Sequence, residues 1–414
     1  MNNIKKVMVL AGGNDQIELI KGLRKRFPGV EVLLVDMNPN VRAREYADKM
    51  AVISTMDFDA VLSVAKTENI DLILSACGDQ PLRTMAYVSE KMGLPCYLTY
   101  EQSQNLTNKV LMKKMMIEGG IPTSKYRRFD ISHNINTEGL DFPLVIKPAD
   151  NNGSKGIIKT YDIADFDAAI AEARKFTLSG DLLVEEFKEG EEYSIEAFIK
   201  ENGEPIIIFA SKNLKIKNRN TFTICCNRYV NALSPRIESK LIEIIRKIGK
   251  VFHIQNVPLL IQCIANDNEV NVIEFSARTG GGSKLFFIRE MADVDVIDNL
   301  IDITLGIKPS IEPKFAQDEA VINYIYANPG IFSGVGGLDE LISEGLITQA
   351  YQYKQFGSEI RSANYSSDRP VGLLIKAENE SMLKAKISEI NKRIKICDES
   401  GNDIMCHEIF EGAI

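Results

Sequence analysis

The sequence has no tryptophan, only three histidines (His133, His253 and His407, far apart), and no Cys-x-x-Cys among its seven cysteines. These absences argue against a Cys/His zinc site and a disulfide framework, and they suit a reducing, cytoplasmic setting. Most of the cysteines are expected to pack in the core. No apolar run approaches the ~18 residues a membrane helix needs. The opening MNNIKKVMVLAGGND puts basic residues before an apolar patch, but AGGND ends that patch too early for a secretory signal. Positive charge is not in surplus either. With 49 Lys and Arg against 57 Asp and Glu, the net charge is −8, which excludes a whole-chain nucleic-acid footprint. An anionic ligand must then be held by a local cluster of cations. Two nucleotide signatures are also missing: the P-loop G-x-x-x-x-G-K-[ST] and the dinucleotide fingerprint G-x-G-x-x-G occur nowhere.

What is present is an ordinary globular composition, 414 residues with 45% hydrophobic and 26% charged side chains. At ~150 residues per domain this predicts two or three domains. The first hundred residues alternate VMVLAGG, the amphipathic QIELIKGLRKRF, VEVLLVD, a helix over 58–66, IDLILSAC, a helix over 85–93 and a short strand LPCYLT. Such alternation predicts βαβ units and a parallel sheet. Asp36 ends the second strand where a ribose-binding acid would stand, but without the glycine fingerprint it reads as a strand-end cap.

From about Thr107 the texture changes. NKVLMKKMMIEGGIP is a helix with Asn or Thr at its N-cap, closed by Gly119 and Gly120. DFPLVIKPADNNGSKGIIKTYD reads strand, polar glycine loop, strand, with Lys147 at the first strand's end. Small residues at 151–156 allow backbone N–H groups to approach polyphosphate oxygens. A plain hairpin loop is the rival reading. DLLVEEFKEGEEYSIEAFIK follows as a strand over 182–187, an acidic turn and an alternating strand over 193–199. Its acids fit either solvation or recognition of a ribose and an adenine edge, and this segment alone does not choose.

The most informative pair lies in VPLLIQCIANDNEVNVIEFSARTGGGS, two strands about a turn at 266–269. If the hairpin centres on Asn268, Gln262 lies opposite Glu274, with Cβ atoms ~4.5–5.5 Å apart. A two-residue turn at Asp267 and Asn268 would instead pair Gln262 with Ile273. Glu274, Ser276 and Arg278 share a face at period 2. A carboxylate among apolar neighbours needs a cation, and Arg278 is one candidate. The other is a hard metal ion such as Mg²⁺, which takes one or two protein carboxylates and completes its shell with water and phosphates.

These features in this order resemble the ATP-grasp superfamily, which includes carbamoyl phosphate synthetase, biotin carboxylase, D-alanine–D-alanine ligase and glycinamide ribonucleotide synthetase. The match runs through AGG, VDMNP, TNK, GGIP, PLVIKPADNNGSKG, LLVEEF with GEEYSIE, and Q with IEFSARTGGGS, over roughly residues 1–310. The resemblance implies an α/β chain with an N-terminal parallel-sheet domain (1–104), a two-lobed α+β ATP-grasp domain (105–314, mobile lid about 122–190) and a small C-terminal α+β domain (315–414). It implies ATP with Mg²⁺ or Mn²⁺ as cofactors. Lys109 and Lys147 would reach the nucleotide phosphates, and Gly153, Ser154 and Gly156 would belong to the loop closing over them. Glu185, Phe187 and Lys188 would meet the adenine edge and Glu192 the ribose. Gln262 and Glu274 would bind metal. Ser276 stands where the family often has Asn and would hold a second ion more loosely. Arg278 would hold the transferred phosphate, with Lys147 beside it in catalysis.

The implied reaction is ATP-dependent joining of a small-molecule carboxylate to an amine through an acyl phosphate. Glycinamide ribonucleotide synthesis is one version. The rival classes are a nucleotide-binding protein without turnover and an NAD-dependent oxidoreductase, which leaves Gln262 and Glu274 without a role. A carboxylase is disfavoured because no Met-Lys-Met biotin-carrier motif occurs. A homodimer is the usual habit of relatives, and no nucleic-acid or membrane partner is expected. In the last hundred residues, Arg361 and Arg369 flank a polar loop that faces either a substrate carboxylate or solvent. The basic stretch 212–219 reads first as a solvated face.

Overall fold

The structure, a computed structural model, describes residues 4–129, 137–149, 156–177, 179–217 and 222–413. Strands β1 (Lys6–Leu10), β2 (Glu31–Val35), β3 (Lys49–Ala51) and β4 (Leu72–Leu74) form a parallel sheet in the order β3-β2-β1-β4. Helices α1 (Asn14–Arg26) and α2 (Phe58–Glu68) make crossovers, and α3 (Asp79–Met92) follows β4. Strands covered by crossover helices read as unbroken apolar runs, as VMVL and VLLV do. Because β1 lies between β2 and β4, the loops after β1 and β4 open onto one crevice at the strands' carboxyl ends. The strand expected at LPCYLT does not form. Pro95 has no N–H to give a ladder, and the Tyr97 hydroxyl reaches across to the Ala277 carbonyl at 3.1 Å. Asp36 is a strand-end cap, accepting the Asn38 N–H at 2.9 Å.

Two capped helices lead out of this sheet. Thr99 and Gln102 form a capping box on α4 (Tyr100–Thr107), and the Asn108 side chain accepts from the N–H groups of Val110 and Leu111 to start α5 (Lys109–Glu118). Position 104, where a domain division was expected, lies inside α4.

Beyond α5 the chain builds two antiparallel sheets. The smaller has the order β5-β8-β6-β7, from β5 (Tyr126–Phe129), β6 (Leu144–Pro148), β7 (Ile158–Thr160) and β8 (Leu182–Glu186), backed by α6 (Phe166–Arg174). Its buried core, including Leu144, Ile146, Phe166, Ile170 and Val184, is separate from that of the remaining chain.

The larger sheet begins with β9 (Glu191–Ile199), β10 (Pro205–Lys215), β11 (Ile224–Tyr229), β12 (Val257–Ala265) and β13 (Val270–Ser276). Helix α7 (Pro235–Val251) packs on it through Ile237, Leu241, Ile244, Ile245 and Ile248, one helical face capped by Ser234 with Pro235 in the first turn. After α8 (Lys284–Ala292) and α9 (Val296–Thr304) comes β14 (Glu319–Ile325), which pairs with β11. Short ribbons join β15 (Gly330–Phe332) and β16 (Gly334–Gly336) to later strands, and α10 (Leu338–Ser343) and β17 (Gln349–Gln352) follow. Then come β18 (Ser358–Ile360), β19 (Val371–Ala377), α11 (Glu380–Arg393), β20 (Lys395–Cys397) and α12 (His407–Glu411).

The sheet order is β13-β12-β9-β10-β11-β14-β19-β17. The last hundred residues thus extend the same eight-stranded sheet. No helix among the described residues is long and apolar enough to cross a membrane.

Candidate active site

The two sheets face each other across a cavity of ≈ 370 Å³. Lys147 and Glu185 enter it from β6 and β8 of the small sheet; Glu192, Ser194, Gln262 and Glu274 enter from β9, β12 and β13 of the large one.

Gln262 does lie opposite Glu274, by a route the sequence reading did not contain. The turn is the shorter one, with Ala265 paired to Val270 and the Asn266 N–H bonded to the Glu269 carbonyl at 3.0 Å. That turn alone would set Gln262 against Ile273. A β-bulge then shifts the register: Cys263 pairs with Val272, Gln262 with Glu274, and Ile273 is the extra residue. One inserted residue thus puts the carboxamide and the carboxylate side by side on the cleft.

Arg278 does not neutralise Glu274. Its Nε and Nη2 donate to the two carboxylate oxygens of Asp79, at 2.7 and 3.0 Å, and Nη1 donates to the Thr279 carbonyl. Asp79 stands at the start of α3, so this fork clamps the N-terminal sheet to the end of β13. The cation beside Glu274 is Lys109, at 3.6 Å. A small adjoining cavity is lined by Asp79, Lys109, Gln262, Glu274, Ser276 and Arg278. Ser276 is buried there, next to the two expected metal ligands.

On the other wall, the Lys147 ammonium is 2.7 Å from Glu185 Oε1, and a second lysine, Lys113, is 3.2 Å from Glu185 Oε2. All three side chains are buried. Burial pushes the Lys113 ammonium down to about 8, opposed by the attraction of Glu185. For Glu185, burial acts upward, but the two lysines outweigh it and hold the carboxyl below its ordinary range. Lys113 follows Lys109 by one helical turn on α5, a spacing that puts the two on one face but does not by itself mark Lys113 as buried.

Phe187 and Lys188 line the cleft just beyond β8. The Lys159 ammonium sits over the Phe187 ring, 3.3 Å from its centroid. Glu192 accepts from Asn213 Nδ2 at 2.8 Å and is paired with Lys215 at 2.9 Å. Two lysines of the basic stretch serve the acids at the start of β9: Lys212 pairs with Glu191 and Lys215 with Glu192. Gly153 and Ser154 lie outside the described residues. Gly156 is described and has a positive φ of 74°, which suits a residue without a side chain.

The far end of the cleft is cationic. The Arg369 guanidinium rests on the rings of Tyr324 and Tyr353, 3.9 and 4.8 Å from their centroids, and forms no ion pair among the described residues. Arg361, its rival, is exposed and 3.7 Å from Asp368. Gly282, at φ +74°, lets the backbone approach; a Cβ there would stand 2.8 Å from the Tyr324 hydroxyl and 2.9 Å from Arg369 Nη2. Lys284 also lines this end and donates to Ser211 Oγ at 2.7 Å. Burial pulls its ammonium down and pushes the nearby Glu196 carboxyl up. Neither residue stood out in the sequence, because nothing local marks a lysine or glutamate as buried.

Gln262 and Glu274 offer oxygen donors only, which suits a hard divalent cation. Among the described residues, no group of three or more His, Cys, Asp or Glu side chains is placed to hold a metal. The donor set therefore fits an ion whose remaining ligands are water and phosphate.

Two antiparallel sheets closing on a cleft lined by lysines and carboxylates define a two-lobed α/β grip. That grip is the ATP-grasp fold, and residues 140–285 match the family model of the ATP-grasp domain, while residues 7–95 match the PylC-like N-terminal domain. A phosphoribosylamine–glycine ligase of Methanosphaera stadtmanae is 25% identical over 427 residues, covering 95% of this chain and 92% of that protein. The multifunctional protein ura1 of Schizosaccharomyces pombe is 22% identical over 361 residues, 82% of this chain, and the chain spans only 16% of its length. Among solved structures, the L-amino acid ligase of Bacillus licheniformis superposes with a TM-score of 0.77 at 17% identity, covering 95% of this chain and 99% of that one. The biotin carboxylase domain of Hydrogenobacter thermophilus 2-oxoglutarate carboxylase, solved with MgADP and bicarbonate, gives 0.75 at 15% identity, covering 99% and 93%. At these identities the structural likeness is one of fold.

Proposed function

We propose that the protein is an ATP- and divalent-metal-dependent ligase that joins a carboxylate to an amine through an acyl phosphate, releasing ADP and phosphate. The observation that carries this reading is the bulge-set pair Gln262 and Glu274, facing Lys109, Lys147 and Glu192 in one cleft. Glu185, Phe187 and Lys188 border the adenine end, and Glu192 the ribose. Lys109 and Lys147 hold the phosphates. Gln262 and Glu274, with Ser276 nearby, would hold a magnesium ion, which would supply charge neutralisation at the transferring phosphoryl group. The substrate carboxylate attacks the γ-phosphorus and ADP leaves. Lys147, and Arg278 beyond the metal pair, stabilise the charge that moves, which is positioning and electrostatics more than covalent catalysis. The amine then displaces phosphate from the acyl carbon.

Arg369 and Lys284 at the far end favour a substrate with an anionic group. An amino acid carboxylate meets that requirement, and so does a sugar phosphate. The near-full-length match to a phosphoribosylamine–glycine ligase supports the second reading, glycinamide ribonucleotide synthesis. The test is ADP release from ATP and Mg²⁺ over a panel of amino acids, alone and in pairs, and of glycine with phosphoribosylamine. Dependence of ADP release on both an acid and an amine supports the ligase; ADP release with none of them sinks it.

A further inference from the structure

Among the described residues, Lys113 is the one buried cation beside the cleft to which the proposed chemistry gives no task. It sits on α5 one turn beyond Lys109 and is only 2% exposed. Its ammonium donates to Thr123 Oγ1 at 2.5 Å and to Glu185 Oε2 at 3.2 Å. Thr123 in turn donates to the Val272 carbonyl at 2.7 Å, on the strand that carries Glu274, and the Val272 N–H donates to the Pro122 carbonyl at 2.8 Å. Lys113 is therefore tied to the large sheet, while Glu185 and Lys147 belong to β8 and β6 of the small one. One carboxylate is shared by two ammonium groups, and only one of them, Lys147, lines the cleft.

We propose that Lys113 is a positioning residue that serves as the standing counter-ion of Glu185, so that Lys147 can turn from that carboxylate to an entering polyphosphate. The inference rests on the reading of the cleft as an ATP site. In a two-member pair, a phosphate that draws Lys147 away strands a carboxylate in a low-dielectric interior, which is strongly unfavourable. With Lys113 in place the carboxylate stays paired whichever way Lys147 points. The three groups also carry a net positive charge, so the wall attracts phosphate even before Lys147 moves.

The experiment is calorimetric titration of the full chain, with Mg²⁺, by ADP and separately by adenosine. Lys113→Met is expected to weaken ADP binding by about ten-fold or more and to weaken adenosine binding far less, because adenosine has no phosphate to compete for Lys147. Lys113→Arg is expected to retain ADP binding. Adding Glu185→Gln to Lys113→Met is expected to recover part of the lost ADP affinity, since Lys147 then has no carboxylate to hold it; a purely structural role predicts a further loss. If Lys113→Met does not fold, Lys113→Gln, which keeps a donor for Thr123, carries the same comparison. Unchanged ADP affinity, or equal losses for ADP and adenosine, overturns the inference. A wild-type chain that takes no ADP overturns the ATP-site reading itself.

Discussion

The two walls of the cleft are built on different scales. The small wall is four strands and one helix around an apolar core of its own; the large wall is eight strands whose core runs on into the N-terminal sheet and the last hundred residues. A lobe that buries so few side chains opens at lower free energy than one welded into the main core. The difference teaches where each ligand group belongs. Gln262 and Glu274, the proposed metal ligands, and Glu192, the proposed ribose acid, stand on the wall that shares the main core. Lys147 stands on the wall with a core of its own.

The largest expected effect tests whether both walls are needed at once. Lys147→Ala and Glu274→Ala are each expected to lower ADP formation by about 10³-fold, as removal of a charge-stabilising group does. Each should change unfolding free energy by less than about 2 kcal/mol. Glu274 is half-exposed, and loss of Lys147 leaves Glu185 still paired with Lys113. Steady-state assay and urea denaturation measure the two quantities. Full activity in either variant would show that catalysis is not shared across the cleft.

Core truncations should separate the walls next. Phe166→Ala in the small core and Phe209→Ala in the large one both remove almost fully buried rings, at about 3–5 kcal/mol each. The first is expected to strip hydrogen-exchange protection from β6 and β8 while β9 and β12 keep theirs. The second should lower protection throughout. Equal loss everywhere in the Phe166 variant would mean that the small wall is not a separate cooperative unit.

Acid should act on the walls with opposite sign. Glu185 is held below its ordinary 4.5, so the stability it gives the small wall is complete above that value and is lost as the pH falls through its lowered folded value. Glu196, in the large sheet, is held above 4.5 by burial. Its charged form is disfavoured in the fold, so that cost is relieved as the pH falls from the raised value toward 4.5. Hydrogen exchange compared between about pH 4 and pH 7, corrected for intrinsic rates, should show β8 losing protection before β9.

Much of this contrast was legible in the sequence, and the illegible part has physical causes. Strand and helix alternation marked the parallel sheet, and Asn108 with the two glycines bounded α5. The Gln262–Glu274 spacing pointed to the cleft, while residues 151–155 of the glycine segment lie outside the described residues. The bulge at Ile273 was hidden because turn chemistry sets register only near the turn; the pairing of β12 with β9 on its other edge also has to be met. Asp79, the partner of Arg278, lies 199 positions away, beyond any local pattern. The union of β14 with β11 is equally non-local. Lys113 and Lys284 were passed over because charged residues in a sequence read as solvated, and only tertiary packing buries them.

The smallest expected effect falls on the connection between the walls. Helix α5 carries both Lys109, beside Glu274, and Lys113, beside Glu185, and its first turn is held by the Asn108 side chain. Removing that cap in Asn108→Ala leaves two N–H groups without their acceptor and is expected to cost about 1 kcal/mol; Asn108→Asp, which keeps the acceptor and adds a charge favourable at a helix N-terminus, should be neutral or slightly stabilising. Urea denaturation reads both. Because Lys109 is the first helical residue, fraying should reach it before Lys113, so the alanine variant should raise the KM for ATP slightly with kcat preserved. A fall in kcat with unchanged KM would instead mean that α5 serves the chemical step and does not merely hold the phosphates between two unequal walls.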